Sequence, residues 1–598
     1  MAYICFRTFL GAVVVHRIVN RIINPKVFLP LFLLAICFGI YGNTLHHGFL
    51  YDDTHLILNN NYIKHPQLWT RIFLVDFFHF APLDPLTYYR PVPILTHALE
   101  YMLWQVNPWG YHLTNILLHF LNSYLIFYLI RLVFANIPLA ILSSVFFCVH
   151  PIHSTTVSLL FNRGDLLLFL FILTSIIQYL KFEQSSKITH YLVSIFCFSF
   201  ALLTKENAVF FFPLLYLCLY SAGLVKEKRR LFYIAVFFAV YMVYLYLRLA
   251  VLKIPFPQYD THSVYHLDFI LTLSNFLNIA MNYIGLLILP LKLYYHHGII
   301  PIMKLSSQVI LPFIFLIPAI MLFLWSLKKK KSILFFALFW GGLSISHVLK
   351  SMYTYSFFRL AMMEHWLYMP SIGFFLILGV LFVRLCRRTP KLSVLLALCV
   401  FTFWSALSIR YSNFGKDPGT FYRHILRNSP VDADAWFNLA NELLELRNYS
   451  EARRHFKAAL AHDLHAPNTP DIYLGLGNTY LREGNNSEAE RHYLVALKYH
   501  PRFSEDWNNL GLVYKKQGKQ QEAYAAFRRA LDYNSESALA CVNLGDLYAE
   551  RGDAPSALGL YRKAFYLDPA DAMFTARLVK AYLAMNDIKQ AEDIIAKI

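Results

Sequence analysis

The chain has 598 residues, of which 57% are apolar and only 15% charged, against about 25% charged in an ordinary soluble protein. Aromatic residues reach 17%, with 52 Phe and 40 Tyr, a load that excludes both a purely water-soluble enzyme and a disordered chain. The net charge of +18 is unevenly held: residues 1–428 carry 34 basic and 13 acidic side chains, residues 429–598 carry 20 and 23, so the positive excess belongs to the apolar part and reads as a positive-inside bias rather than as nucleic-acid binding.

A membrane span needs about 20 mostly apolar residues. Residues 1–26, with Arg7, Arg17, Arg21 and Lys26, form a basic segment expected on the cytoplasmic side. Spans are predicted at 28–44, 113–134, 137–150, 164–181, 189–204, 206–222, 231–250, 308–327, 332–350, 366–385 and 393–410, with a further apolar helix at 270–290. The first run is short enough for a signal peptide, but no A-x-A site follows it, and it is read as a span. Basic runs at Lys226–Arg230, Lys328–Lys331 and Arg384–Lys391 mark further cytoplasmic turns. The crossings between the second and third basic runs must be even in number, and three apolar segments lie there, so 270–290 is read as re-entrant or surface-lying. About eleven crossings remain. They place 45–110, 151–163, 251–307, 351–365 and the C-terminal part on the outer side.

The expected organisation is therefore a basic N-terminus at 1–26, a transmembrane domain at 27–411, a linker at 412–430 and a soluble domain at 431–598. Eight scattered cysteines form no C-x-x-C pair, which indicates neither a zinc site nor a disulfide framework.

The soluble domain repeats with a period of 34. Trp507, Leu510, Gly511, Tyr514, Ala523, Phe527 and Ala530 follow the TPR pattern. Cys541, Leu544, Gly545, Tyr548, Ala557, Tyr561, Ala564 and Pro569 follow it one period on, and Tyr473, Leu476, Gly477, Tyr480, Ala489, Tyr493, Ala496 and Pro501 one period back. Trp436, Leu439, Ala440, Ala452, Phe456 and Ala459 begin the array, and Leu578, Tyr582 and Ala591 end it, for about 4.5 repeats. Such arrays bind peptides on a concave surface. Asn438, Asn509 and Asn543 each precede the repeat Leu, which resembles the asparagine ladder in the TPR groove of O-GlcNAc transferase; polar filler on a helix face is the alternative.

Ionisable residues beside apolar runs are costly and are candidate functional groups. Tyr51-Asp52-Asp53 follows the first span. Arg90 shares its outer loop. His150-Pro151-x-His153 and Asn162-Arg163-x-Asp165 follow on the next, then Lys205-Glu206-Asn207, and later Glu364-His365. All fall on one expected side of the membrane. This set suits transfer to a hydroxyl from a lipid phosphate: Asp52 or Asp53 would accept the hydroxyl proton, and Arg90, Arg163 and Lys205 would hold the phosphate. Ion pairing of Arg163 with Asp165 and of Lys205 with Glu206 at helix ends is the structural alternative. His150 and His153 lack a third ligand, so no metal site is assigned, although a divalent metal is compatible with the acidic pair.

In order along the chain, Phe49-Leu-Tyr51-Asp52-Asp53, Tyr89-Arg90-Pro91, Asn107-Pro108-Trp109-Gly110-Tyr111-His112, His150-Pro151-x-His153, Arg163-x-Asp165-Leu166, Leu203-Thr204-Lys205-Glu206-Asn207-Ala208 and Tyr368-x-Pro370-Ser371-x-Gly373, followed by the repeats, resemble the transmembrane-and-TPR-containing O-mannosyltransferases. The resemblance implies an all-α fold: a polytopic membrane helical bundle of the GT-C glycosyltransferase type, followed by a TPR α-solenoid. It further implies a polyprenyl- or dolichyl-phosphate sugar as donor, mannose as the sugar, protein Ser or Thr as acceptor, and the acidic pair at Asp52 and Asp53. His150, His153, Glu206 and Glu364 would support the site, and the repeats would present a protein acceptor. In eukaryotic relatives the outer side is the ER lumen; the short array here is similar to bacterial relatives, where it is the periplasm. A membrane-anchored TPR scaffold, a lipid-linked glycan transferase and a transporter are the rival readings.

Overall fold

The computed structural model describes residues 25–50, 52–77, 88–224, 229–255, 269–299, 314, 317, 320–326, 333–346, 360–462, 469–568 and 571–595. The basic segment 1–24, Tyr51, Lys226, Lys228, the Lys328–Lys331 run and most of the expected span 308–327 lie outside these residues. The chain divides into two compact units, Met1–Ser429 and Pro430–Ile598.

In the first unit the described helices longer than ten residues are α1 Pro25–Tyr41, α2 Pro91–Trp104, α3 Pro108–Phe134, α4 Ile137–Val149, α5 Arg163–Ser185, α6 Ile188–Leu202, α7 Phe211–Ser221, α8 Arg229–Tyr246, α9 Phe269–Ile288, α10 Ile333–Ile345, α11 Ser371–Arg388, α12 Pro390–Ser412 and α13 Pro418–Asn428. Local chemistry sets the ends of the longest. Asn107 accepts the Trp109 N–H ahead of Pro108 at the start of α3, and Ala135, with φ 52, stops it. Asn136 then caps α4 through the Leu139 N–H.

Six described helical stretches, built on α1, α3, α5, α8, α9 and α12, are long and apolar enough to cross a membrane. A seventh results if α4 is counted with the Pro151–Ser158 segment that it meets at 53°. The helices over 188–202, 206–221 and 333–345 are apolar but shorter. This is a multi-pass membrane architecture with fewer full-length spans, among the described residues, than the eleven or so crossings expected from hydropathy. The segment expected to be re-entrant is one continuous helix, α9, whose length does not set it apart from the other spans.

The core of this unit is built where α1, α3, α4, α5, α6, α7, α10 and α11 meet, around Phe146, Phe147, Phe169, Ile172, Phe198 and Trp340. Close approach is made possible by glycine. A β-carbon at Gly373 of α11 would lie 2.3 Å from the Ala337 carbonyl oxygen of α10, so any side chain there would force the two helices apart.

Two features depart from the expected all-α unit and its linker. A two-stranded antiparallel sheet pairs β1 His296–Ile299 with β2 Leu360–Met363, His296 opposite Met363. Each strand is four residues long, too short for a period-2 pattern to be visible. Residues 412–430, expected as a linker, contain α13, whose Phe421, Tyr422, Ile425 and Leu426 are buried. Its i, i+1, i+4, i+5 apolar stripe is that of a docked helix, and the unit boundary falls after Ser429.

The second unit is the expected TPR solenoid. It consists of helical hairpins α14 Ala433–Glu445 with α15 Tyr449–His462, α16 Thr469–Arg482 with α17 Asn486–Tyr499, α18 Ser504–Lys516 with α19 Gln520–Tyr533, α20 Ala538–Glu550 with α21 Ala554–Leu567, and α22 Ala572–Ala584 with α23 Ile588–Ile595. The repeat glycines carry the hairpin packing. A β-carbon would lie 2.6 Å from Tyr493 Cε1 at Gly477, 2.6 Å from Phe527 Cε1 at Gly511 and 2.8 Å from Tyr561 Cε1 at Gly545. The 34-residue period thus records one aromatic ring seated on one glycine in each of three hairpins.

Candidate active site

Asp52 and Asp53 begin a short helical turn after the first span, which runs on through Thr54–Leu58. Asp53 is buried, and its Oδ2 accepts the Leu50 N–H at 2.8 Å. Its Oδ1 is buried without a hydrogen bond. Burial pushes its carboxyl up to about 8, against the partial offset of the Leu50 N–H and the nearby Arg163. Asp52 is partly exposed, and its carboxylate makes no hydrogen bond among the described residues. Burial raises it to about 7. The two adjacent acids therefore differ: one is tied into its turn by a hydrogen bond, and the other is partly exposed and poised near neutrality.

Arg163, first residue of α5, is fully buried. Its Nε donates to Asn115 Oδ1 at 2.9 Å, one terminal nitrogen contacts Glu100 and His97, and the other donates to the Tyr111 carbonyl at 2.7 Å. Burial opposes ionisation of Glu100, but Arg163 and His97 together outweigh it and pull that carboxyl down to about 2. The guanidinium is thus consumed by protein partners. It reaches Asp53 as a fixed positive charge rather than as an open phosphate ligand.

Arg90 and Lys205 come together at a second cluster. The Val92 N–H donates to the Leu203 carbonyl at 3.1 Å, which draws the turn before α2 against the turn after α6. Arg90 then gives Nε and Nη2 to Glu206 Oε2 at 3.1 and 2.9 Å, and stacks on Tyr88 at 4.1 Å. Lys205 Nζ donates to Asp165 Oδ1 at 2.6 Å, and His365 Nε2 stands 3.9 Å from the other Asp165 oxygen. Arg248 of the Leu247–Val251 turn reaches Glu206 Oε1 at 3.5 Å and Tyr244 OH at 3.2 Å. Burial alone would raise the Glu206 carboxyl, but Arg90, a backbone N–H and Arg248 hold it below its usual range. Lys205 pairs with Asp165 and Glu206 with Arg90, so the pairing is not within the Lys205-Glu206 dipeptide. Asp53 and Asp165 lie by the first turn of the same helix, α5, which links the two clusters.

The remaining residues singled out in the sequence lie in other surroundings. His150 is buried, with Nε2 at 3.0 Å from the Leu287 carbonyl and Nδ1 accepting the Ile152 N–H. His153 packs on Phe147 and Tyr368 with ring centroids 4.3 and 4.8 Å away. Glu364 Oε1 accepts the Tyr294 N–H at 2.6 Å and meets His297 Nε2 at 2.9 Å, bracing the β1–β2 pair. In the repeats, Asn509 donates to Asn478 at 3.2 Å and Asn543 to Asn508 at 2.8 Å, each bridging neighbouring hairpins, whereas Asn438 bonds back to the Asp434 carbonyl of its own helix.

Sequence reasoning passed over Glu100 and His97, which hold Arg163 together with Asn115 of the Asn107–Asn115 motif, and Arg248, which completes the Glu206 cluster. Arg248 was open to discovery as a charge within an apolar run; the others carry no signal until α2, α3 and α5 are packed. One set of potential metal ligands is also new. Cys37, His119 and Cys148 place their ligand atoms within 4.8 Å of one another, with the thiols 3.3 Å apart. Such soft donors differ in kind from the acidic pair.

Residues 89–247, which include Arg90, Arg163, Asp165, Lys205 and Glu206, match the family described as dolichyl-phosphate-mannose-protein mannosyltransferase. Residues 437–506 and 504–537 match tetratricopeptide repeats. The chain resembles the O-mannosyltransferases that carry TPR repeats. Protein O-mannosyl-transferase Tmtc1 of Drosophila melanogaster is 29% identical over 177 residues, covering 29% of this chain and 21% of its own. Protein O-mannosyl-transferase TMTC3 of Homo sapiens is 29% identical over 182 residues, 30% of this chain and 20% of its own. Protein O-mannosyl-transferase tmtc2 of Xenopus laevis is 33% identical over 153 residues, 25% of this chain and 18% of its own. The chain thus spans about a fifth of the length of the curated relatives it matches. Among solved structures, MamA is similar at 23% identity and a TM-score of 0.24 over 27% of this chain and 91% of that one. Pseudomonas aeruginosa pilF is similar at 21% identity and 0.26 over 29% and 78%.

Proposed function

We propose that the chain is a membrane glycosyltransferase of the GT-C type that moves mannose from a polyprenyl or dolichyl phosphate to a Ser or Thr hydroxyl of a protein on the outer side of the membrane. The observation that carries the reading is Asp52. It is a partly exposed carboxyl, raised to about 7 by burial, at the end of a bundle whose 89–247 segment matches the dolichyl-phosphate-mannose-protein mannosyltransferase family. A general base works best with a pKa near the working pH.

In this reading Asp52 takes the proton of the acceptor hydroxyl as its oxygen attacks the anomeric carbon. The bond from that carbon to the donor phosphate oxygen breaks, and the lipid phosphate leaves with the bonding electrons. One base suffices for such single displacement with inversion. Arg90 and Lys205 are the phosphate partners with donors to spare: Arg90 commits Nε and Nη2 but not Nη1, and Lys205 commits one of three N–H groups to Asp165. Arg163 acts at one remove, as the charge that steadies Asp53. The asparagine pairs of the repeats are suited to hold acceptor backbone.

The test is incubation of the purified chain with radiolabelled polyprenyl-phosphate mannose and candidate protein acceptors, with and without chelator. Transfer that disappears in Asp52→Asn while the protein stays folded supports the assignment. Undiminished transfer in both Asp52→Asn and Asp53→Asn removes the acidic pair from the chemistry.

A further inference from the structure

One cavity is lined by no residue of either cluster. It has a volume of about 680 Å³ and forms between the loop that follows α9, the last turns of α12, and α13. Three cations line it: Lys292, Arg410 and Arg427. None makes an ion pair or a side-chain hydrogen bond among the described residues, and no acidic side chain lines the cavity. This is unlike every cation of the reaction clusters, each of which is matched to a carboxylate. Glu364, whose field reaches His424 on the cavity wall, is already engaged by His297 and the Tyr294 N–H.

The remaining wall is mixed: Leu293, Ala406 and Ile409 stand beside Asn413, His424 and Asn428. Ala406, Ile409 and Arg410 belong to a helix long and apolar enough to span a membrane, and Lys292 follows the end of another. The cavity therefore lies where two spans end, at the depth where lipid headgroups meet the hydrocarbon. It also lies at the same end of the bundle as the Asp52 turn. Asn43 bonds Ser412 and Asn413 at 2.9 and 2.6 Å, and the Gly48 N–H bonds the Lys416 carbonyl at 3.1 Å.

Three exposed cations without a carboxylate partner among the described residues, around a partly apolar hollow at the ends of spans, suit an anion with a hydrocarbon tail. We infer that this cavity binds the phosphate headgroup of an anionic phospholipid, with Lys292, Arg410 and Arg427 as its ligands. A free phosphate would satisfy the charges but leave the apolar part of the wall unused. The assignment is independent of the transfer reaction proposed above, since none of its residues belongs to either cluster.

The experiment uses the purified full chain in neutral detergent, titrated with fluorescently labelled phosphatidylglycerol or phosphatidylcholine. Phosphatidylglycerol should bind at least about tenfold more tightly, in line with the attraction of several Lys and Arg side chains for an anionic lipid. The triple variant Lys292→Gln, Arg410→Gln, Arg427→Gln should lose that preference, and Arg410→Lys with Arg427→Lys should keep it. Millimolar inorganic phosphate should not displace the lipid. Equal binding of the two lipids, a preference that survives the triple variant, or displacement by millimolar phosphate would each overturn the assignment. Should the triple variant fail to fold, Arg410→Gln and Arg427→Gln are read singly, and an unchanged preference in both has the same force.

Discussion

The backbone N–H of Val92 donates to the carbonyl of Leu203 at 3.1 Å, and this bond sits between the turn that bears Arg90 and the turn that bears Lys205 and Glu206. No side chain in either turn has to search for its partner once that bond is made. Arg90 meets Glu206 and Lys205 meets Asp165, giving a chain of alternating charge from Arg248 through Glu206 and Arg90 to Asp165 and Lys205. Such a chain holds its charges fixed, which would suit the departing phosphate of the proposed reaction.

Breaking the chain at Arg90 should be costly. Arg90→Gln leaves Glu206 with the longer contact to Arg248 as its remaining ion pair. Loss of a charge-assisted hydrogen bond from a largely buried carboxylate is worth roughly 2 kcal/mol, so the variant should unfold at lower denaturant in detergent. Glu206→Gln added to Arg90→Gln should recover part of the loss, because the orphaned charge goes with it. A double variant no more stable than Arg90→Gln would mean that the pair contributes little.

Arg163 gives a different expectation. Its fork is divided among Asn115, Glu100, His97 and the Tyr111 carbonyl, a pattern that a lysine ammonium cannot reproduce. Arg163→Lys should therefore destabilise the fold, though by less than the roughly 3–5 kcal/mol of removing one partner of a buried ion pair, because the charge is kept. At temperatures where the variant stays folded, kcat should fall with the donor KM nearly unchanged if, as proposed, the residue acts through Asp53 and not on the phosphate. A large rise in donor KM would instead put Arg163 on the phosphate, as the sequence alone suggested.

How much of this was legible beforehand differs from part to part. The repeats were readable residue by residue, because each Gly–aromatic contact lies within one hairpin and recurs every 34 positions. The apolar bundle was readable as membrane-spanning, and the runs at 189–204 and 206–222 were already short, but the bend after α4 was not readable, since hydropathy reports composition and not where a helix turns. The charged residues Arg90, Lys205 and Glu206 stood out because charge next to apolar runs is expensive. Which partner each takes did not: the Lys205–Asp165 pair and the Arg163–Glu100 pair join residues far apart in sequence, and only the packing of α2, α5 and α6 decides them. The α13 stripe of Phe421, Tyr422, Ile425 and Leu426 was visible in principle and was masked by the polar residues between its members.

The repeat glycines make a prediction confined to the second unit. At Gly511 an added methyl would meet Phe527 Cε1 at 2.6 Å, inside any ordinary contact. The ring is fully buried and cannot swing clear. Gly511→Ala should cost roughly 1–3 kcal/mol of overpacking strain, whereas Gly559→Ala, with nothing near its β-carbon, should be neutral or stabilising. Limited proteolysis of the full chain reads both. Equal protease resistance for the two variants would show that the hairpin tolerates the wider spacing.

The acidic pair ties activity and stability to pH in opposite senses. Asp52 at about 7 and Asp53 at about 8 in the fold both lie above the ordinary aspartate value of 3.8. The folded chain therefore binds more protons than the unfolded chain between about pH 4 and 8. The stability these groups contribute is fully present below pH 4 and is lost as pH rises through 7 and 8. Transfer runs the other way, because a general base must be ionised, and the rate should climb through about pH 7. Asp52→Asn should abolish the climb and flatten part of the stability loss. Asp53→Asn, which keeps an oxygen to accept the Leu50 N–H, should flatten the remaining loss and leave the pH of half-maximal rate governed by Asp52. Denaturant midpoints and initial rates measured across pH 5 to 9 on the same preparations separate the two. A rate that is flat across that range in the unmodified chain would exclude either aspartate as the group that takes the proton.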